Sequence, residues 1–394
     1  MSIKKLNWAI LFTLAAVLIH AYLTKQYYGL KFGQAETSFC NLNATFNCDA
    51  ASASSYSNIA GIPMALFGAL TNLVLLLFLL ANKYSLVQEK ERLTRVYFYL
   101  ALAIAGVSVI MGSISTFLLH TYCLFCMATY LLSFFNLYLL GSNTQGSVKS
   151  NLGNDFKSLF GDFKTVLVLL ALVPVLAYVI NDMAFEASPL KDIDRVAAEK
   201  VDKWKSSTEY NFNPQTGLIK KARQEPAQMT VVEFADFRCP HCKHAYPTLH
   251  AFAAAHPDVE FIFKPFPLDG TCNTAMQGGG DGISCELAFL TFCGEKLAGQ
   301  GWKVHDYIFE NQERILGLSR LDDIRAEISA RFAINQTELE TCAKSGEIFQ
   351  AVQDMAKEGA NAQVQGTPSI YLNGKYLQGG HLLPILEKAY KNIK

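Results

Sequence analysis

Four of the ten cysteines stand in two Cys-x-x-Cys motifs, Cys123/Cys126 and Cys239/Cys242. A thiol pair at that spacing can shuttle between dithiol and disulfide or can hold a soft metal ion. A metal would need two further soft ligands, and near the first motif only His120 offers itself, so redox chemistry is favoured and no metal is expected. Each motif precedes a stretch of helical pattern. A thiol at a helix N-terminus is favoured as thiolate by the unpaired N–H groups and the dipole, which makes it a nucleophile. The other six cysteines are Cys40, Cys48, Cys272, Cys285, Cys293 and Cys342; an even count with several close pairs suits an oxidising compartment.

The elements that must position these thiols differ between the two halves of the chain. Over 394 residues the formal net charge is zero, and 17% of residues are charged. Residues 1–181 hold 11 Lys and Arg with 6 Asp and Glu, about 9% charged, whereas residues 182–394 hold 23 and 28, about 24%. The mean hydropathy of +0.18 averages a lipid-facing half with a soluble one. The low share of charged residues argues against a disordered or nucleic-acid-binding chain. A membrane-spanning helix needs ~20 mostly apolar residues. Five stretches qualify, at about Leu6–Leu23, Pro63–Ala81, Val96–Leu119, Tyr122–Leu140 and Thr165–Asn181. Lys4 and Lys5 before the first stretch would also suit a signal peptide, but no small-residue cleavage site follows, so a retained helix is expected.

Basic residues orient the spans. Lys4 and Lys5, then Lys83, Lys90, Arg92 and Arg95, then Lys149, Lys157 and Lys164 flank alternate ends, so the N-terminus is expected inside. Five crossings then leave the C-terminal half outside. Every cysteine falls on the outer side or at its membrane surface. Residues 182–228, charged and carrying Pro189, Pro214 and Pro226, read as a helical linker plus a lead-in. Met229–Phe237 reads as a strand, Lys243–Ala255 as a helix, Val259–Lys264 and the segment from Ile370 as further strands, and Leu382–Lys391 as a closing helix. Strand, Cys-x-x-Cys, helix is a redox arrangement in which Pro240 suits the first helical turn.

Cys40 and Cys48 with seven residues between them, Ser54, Gly61-Ile62-Pro63 opening a span with Phe67-Gly68, and Cys123-Leu124-Phe125-Cys126 followed by Tyr130 resemble the vitamin K epoxide reductase family. The resemblance covers about residues 5–141 and implies a four-helix bundle holding a quinone beside the Cys-x-x-Cys. It makes Cys126 the cysteine that reduces the quinone and Cys123 its partner in exchange. Cys48 becomes the loop cysteine reaching Cys123, and Cys40 the one meeting an external partner. Ser54 would help organise the site, and Tyr130 would hydrogen-bond a quinone carbonyl, with Phe67 and Met64 also lining the quinone site. Met64 stands where animal members carry an asparagine, which favours simple quinone reduction over epoxide reduction.

The sequence Cys239-Pro240-His241-Cys242 resembles DsbA-like thiol oxidases of the thioredoxin fold. That resemblance implies that His241 helps stabilise the Cys239 thiolate, that Glu233 is a buried acid moving protons, and that Pro368, after Gly366-Thr367, is the cis-proline beside the motif. The 126 positions from Cys242 to Pro368 leave room for an inserted helical region at about 283–360. Cys272 with Cys285 and Cys293 with Cys342 are the favoured structural disulfides of the three possible connectivities.

The expected architecture is thus an α-helical membrane bundle, residues 1–141, with a four-helix core. A loop and fifth span follow at 142–181, an extracytoplasmic linker at 182–228, and an α/β DsbA-like domain with a helical insertion at 229–394. The expected activity is disulfide formation. Electrons from thiol-bearing substrate proteins would cross Cys239/Cys242, Cys40/Cys48 and Cys123/Cys126 to a membrane quinone, ubiquinone or menaquinone. The lipid bilayer is a partner, nucleic acid is not, and the expected location is a bacterial inner membrane with the second domain in the periplasm. A membrane-anchored disulfide isomerase or chaperone is the alternative, though an anchor needs no cysteines of its own.

Overall fold

The computed structural model describes residues 2–34, 37–38, 40–41, 45–86, 90–142, 164–188, 192–318 and 320–393, with backbone only at 90–93 and 165. Lys149, Lys157 and Pro189, used above for topology and for the linker, lie outside the described residues, and so do the side chains of Lys90 and Arg92. The chain divides into two compact units, Met1–Phe32 with Ser38–Lys191, and Gly33–Thr37 with Asp192–Lys394.

The first unit is helical. Helices α1 (Ile3–Lys31), α3 (Met64–Lys83), α4 (Lys90–Ile114) and α5 (Leu124–Gly141) pack as a four-helix bundle, and a further helix, Lys164–Glu186, lies against α3. All five are long and apolar enough to cross a membrane, as the sequence predicts, over Ile3–Lys31, Met64–Lys83, Thr94–Leu119, Leu124–Gly141 and Val166–Glu186. Lipid replaces water around such helices, so apolar side chains stay outside: Leu18, Ile110 and Leu131 are all about 60% exposed. The buried seam is Leu6, Ala9, Leu75, Leu79, Tyr97 and Leu140, where the Tyr97 hydroxyl donates to the Phe78 carbonyl at 2.7 Å. Between α1 and α3 come a short helix α2 (Cys48–Ala53) and a two-strand turn, β1 (Asn58–Ile59) with β2 (Ile62–Pro63).

The second unit is a five-stranded mixed sheet in the order β3-β5-β4-β6-β7, with ranges Leu218–Lys220, Val259–Pro265, Met229–Ala235, Ser369–Leu372 and Lys375–Tyr376. Strands β4 and β5 are parallel and joined by the helix Pro240–Ala255; the remaining pairs are antiparallel. Because strand residues alternate faces, Val232 and Phe234 enter one core with Phe266, Ala356 and Tyr371, while Glu233 points to the other side of the sheet. Helices fill 283–361 between β5 and β6, the expected insertion.

The linker reading of residues 182–228 needs correction. From Asp192 onward the chain belongs to the second unit. The helix Ile193–Lys205 buries Ile193, Ala197, Val201 and Trp204, and the Trp204 indole donates to the Leu372 carbonyl at 3.2 Å. β3 adds an edge to the sheet. Charge along 193–205 made the segment look solvated, but its charges share one face of an amphipathic helix.

Candidate active site

In the first unit the Cys-x-x-Cys straddles the start of α5. Cys123 is the N-cap in extended conformation, and its sulfur accepts the Cys126 backbone N–H at 3.2 Å. The same sulfur receives a hydrogen bond from the Cys126 thiol, the largest influence holding the Cys123 thiol below its ordinary range, while burial and the charge of Asp49 oppose it. Cys123 is buried, and Cys126 is partly open.

Cys40 and Cys48 are disulfide-bonded and share one apolar cluster with Cys123 and Leu23. Main-chain bonds dock that loop on the motif: Asn47 N–H donates to Tyr122 O at 2.9 Å and Tyr122 N–H to Thr45 O at 2.7 Å. Inside the loop, buried Asp49 accepts Asn41 Nδ2 at 2.6 Å, Ser38 N–H at 3.1 Å and Gln26 Nε2 at 3.2 Å, and the Ser38 hydroxyl also reaches it. Asn41 in turn accepts the Cys48 N–H at 2.8 Å. Sequence reasoning passed over Asp49, Asn41 and Gln26; an acid directly after a loop cysteine in an otherwise charge-poor half was the available signal.

Cys126 faces a cavity of about 390 Å³ between α1, α3, α4 and α5. Tyr130, Met64, Phe67, Gly68 and His20 line it. A smaller cavity of about 80 Å³ also touches Cys126, Tyr130 and Met64 and adds Ser54 and Tyr56. All the residues that the sequence pointed to for a quinone therefore lie around these two spaces. The Ser54 hydroxyl itself donates to the Ala51 carbonyl at 2.8 Å, inside its own turn.

In the second unit Cys239 is the N-cap of Pro240–Ala255 with Pro240 in the first turn. Cys242 is sealed and Cys239 is 8% exposed. The Cys239 thiol donates to the Thr367 carbonyl at 3.3 Å, and the Thr367–Pro368 peptide bond is cis. A hydrogen bond from the Cys242 thiol is the largest of the influences that bring the Cys239 thiol down to about 5. The Thr367 side chain and the backbone N–H groups of Cys242 and His241 add to it, and burial opposes. The His241 side chain is exposed, and the residue meets the sulfur through its backbone N–H. Burial pushes the Cys242 thiol well up.

Glu233 lies in the same interior with Oε1 unbonded among the described residues. Burial raises its carboxyl to about 8, the charge of Cys239 adds to this, and Lys220 pulls the other way. Two further residues brace the motif. Gln312 Nε2 donates to the carbonyls of Phe237 at 2.8 Å and Cys239 at 3.1 Å. Asp236 accepts the Arg238 N–H at 2.6 Å and the Leu268 N–H at 2.5 Å.

A polar group that sequence reasoning missed shares this sheet face. Lys220 Nζ lies 3.0 Å from His250 Nδ1 and 4.3 Å over the Trp302 ring, and His305 Nδ1 lies 2.8 Å from Asp306. His250, His305 and Asp306 could bring three ligand atoms within 4.8 Å of one another. Lys220 Nζ stands beside them; burial lowers its amine, and the charge of Asp306 opposes that. The signal was dispersed over 87 positions of sequence. Cys272–Cys285 and Cys293–Cys342 are disulfide-bonded with Cα separations of 6.0 and 5.9 Å.

Comparisons with known proteins agree with this division. The model of the vitamin K epoxide reductase family matches residues 7–140, and a thioredoxin model matches residues 224–382. The thiol:disulfide interchange protein DsbA of Pectobacterium carotovorum is 27% identical over 170 residues, 41% of this chain and 72% of that protein. The Na(+)/H(+) antiporter NhaA 1 of Mycolicibacterium gilvum is 25% identical over 154 residues, 39% of this chain; the chain spans about a quarter of the length of the antiporters it matches. Among solved structures, oxidised BdbD from Bacillus subtilis is similar with a TM-score of 0.38 and 19% identity, over 48% of this chain and 97% of that one. Residues 7–140 thus form a domain that matches the vitamin K epoxide reductase family, and residues 224–382 one that matches the thioredoxin family.

Proposed function

We propose that this chain is a membrane-bound oxidoreductase that makes protein disulfides and passes the electrons to a quinone. Substrate thiolate attacks the Cys239–Cys242 disulfide at Cys239, and the resulting mixed disulfide resolves as the substrate's own disulfide forms. Reduced Cys239/Cys242 then hands its electron pair to Cys40–Cys48, and that pair to Cys123/Cys126. Finally the Cys123–Cys126 disulfide re-forms as a quinone in the larger cavity takes two electrons and two protons.

One observation carries the reading. A disulfide, a free dithiol and an apolar cavity adjoin in that order within the first unit, which supports passage of an electron pair from one to the next. A cavity of that size and apolar lining suits a quinone ring. Tyr130 would donate to a quinone carbonyl, with Phe67 and Met64 against the ring and Ser54 shaping the neighbouring space. In the second unit Glu233 would take the Cys242 proton, Pro368 would present backbone to substrate, and His241 would act through its N–H. The setting is a bacterial inner membrane, N-terminus inside, with thiol-bearing proteins as substrates and ubiquinone or menaquinone as acceptor.

The test is purified full-length protein given a reduced two-cysteine peptide and short-chain ubiquinone. One peptide disulfide should form per quinone consumed. Peptide isomerisation with no quinone consumed would overturn the reading in favour of an anchored isomerase.

A further inference from the structure

The larger cavity holds one more group able to move a proton. His20, on α1, lines the cavity together with Cys126 and Tyr130. Its Nδ1 lies 2.7 Å from the Ala16 carbonyl, one turn back, which fixes the ring and commits that nitrogen as a donor. Nε2 is left with no hydrogen-bond partner among the described residues. On α3 the ring meets Gly68, where a Cβ would collide with His20 Cδ2 and Nε2. Glycine at that position is what lets the imidazole stand at the cavity wall.

Most other polar groups of the wall are already spent. Asn72 Nδ2 donates to Gly68 O at 2.9 Å, Thr129 to Cys126 O at 2.8 Å, Ser133 to Tyr130 O at 2.7 Å and Ser108 to Ile104 O at 3.0 Å. Thr71, Tyr130 and His20 remain, and of these only an imidazole exchanges a proton near neutral pH. The titratable groups sharing the space are Cys126 and Tyr130 on α5; the lining residues of α3 and α4 are uncharged.

We propose that His20 is a catalytic residue of the quinone site, delivering a proton from Nε2 to one quinone oxygen while Tyr130 hydrogen-bonds the other. This rests on the quinone-reducing reading above. The balance is closed. The Cys123 and Cys126 thiols lose two protons and an electron pair as their S–S bond forms, and the quinone gains two electrons and two protons. His20 gives one of those protons and is reprotonated before the next turnover. The position of His20 also bears on Met64, which brings no hydrogen-bond donor to the wall: the imidazole supplies a polar contact from a different helix.

The experiment uses full-length protein, dithiothreitol as reductant and short-chain ubiquinone, with kcat, KM and their pH dependence as readouts. Wild-type kcat should fall as pH rises, because the donor form is the imidazolium. His20→Gln should lower kcat by roughly 100-fold, the scale of one general acid, leave KM within a few-fold, and remove that limb of the profile. Gly68→Ala should lower kcat by displacing the ring, with both cysteines and Tyr130 intact; it decides the matter if His20→Gln does not fold. A folded variant of either kind with the wild-type kcat and pH profile overturns the assignment. If wild-type protein reduces no quinone at all, the function reading and this one fall together.

Discussion

The two dithiols begin alike and end differently. Cys123 and Cys239 are both N-caps, both accept a hydrogen bond from the second cysteine of their motif, and both are held below the ordinary thiol range. The second cysteines part company: Cys126 lines a cavity, whereas Cys242 is sealed in a core with Glu233 for company. The hydrogen bond from the second cysteine, helped by the N–H groups of the helix start, therefore lowers the first thiol in either setting, and what lies behind the second sulfur decides where electrons can go. A cavity admits an acceptor molecule. A sealed core admits only a proton acceptor, and the electron pair must leave by the way it came.

Replacing single cysteines breaks this comparison most severely. Cys126→Ala should abolish quinone reduction, while protein isolated with Cys239–Cys242 oxidised still oxidises one equivalent of peptide. Cys239→Ala should do the reverse, retaining quinone reduction by a small dithiol. Loss of dithiol-driven quinone reduction in folded Cys239→Ala would mean that the first unit does not accept electrons on its own.

Asp49 and Glu233 test the surroundings of each motif. Asp49→Asn removes a carboxylate that accepts several loop donors, so dithiol-driven turnover should fall about tenfold, equivalent to ~1.4 kcal/mol. The same change removes a charge that raises the Cys123 thiol, so alkylation of Cys123 should titrate lower in the variant. An unchanged titration would mean that Asp49 acts on the loop alone. Glu233→Gln should flatten the pH dependence of peptide oxidation around pH 8, where the Glu233 carboxyl titrates.

Linkage gives Glu233 a second signature. Its folded carboxyl sits near 8, above the unfolded value of 4.5. The folded state then binds the extra proton between those values, and stability falls as pH rises across that window. Glu233→Gln should stabilise the reduced protein by a few kcal/mol above pH 8 and by nothing below about pH 4.5. Chemical denaturation at pH 4.5 and 8.5 decides it.

Much of this was legible in the residues. Five spans followed from uncharged length, because a bilayer imposes one simple rule on a helix. Both Cys-x-x-Cys motifs, Tyr130 and Glu233 came from spacing and resemblance, and their geometry is local enough for that. What stayed hidden depends on tertiary neighbours. Asn41, Asp49 and Gln26 meet only when the loop folds onto α1. Lys220, His250 and Asp306 come from a strand and two helices far apart in sequence, and β3 is too short to show a period. That Ile193–Lys205 is helical is legible, but its charge masks the four-residue apolar stripe that ties the helix to the second unit. Gln312 was invisible because nothing in its type or spacing ties it to Cys239.

Gln312 carries the smallest effect and separates the two motifs by how they are braced. In the first unit the brace is main chain, Asn47 N–H on the Tyr122 carbonyl, which no substitution short of proline removes. In the second it is one buried side-chain amide serving the carbonyls of Phe237 and Cys239. Truncating it strips a buried donor from two carbonyls, each such bond being worth ~1 kcal/mol net. Gln312→Ala should therefore cost about 1–2 kcal/mol in the unfolding of the second unit. The amide touches carbonyl oxygens and not the sulfur. Alkylation of Cys239 should still titrate near 5, and peptide oxidation should slow only a few-fold. A shifted titration would show that the carbonyl of Cys239 must be pinned for its thiolate to be held, and the second motif would then depend on its scaffold in a way the first does not.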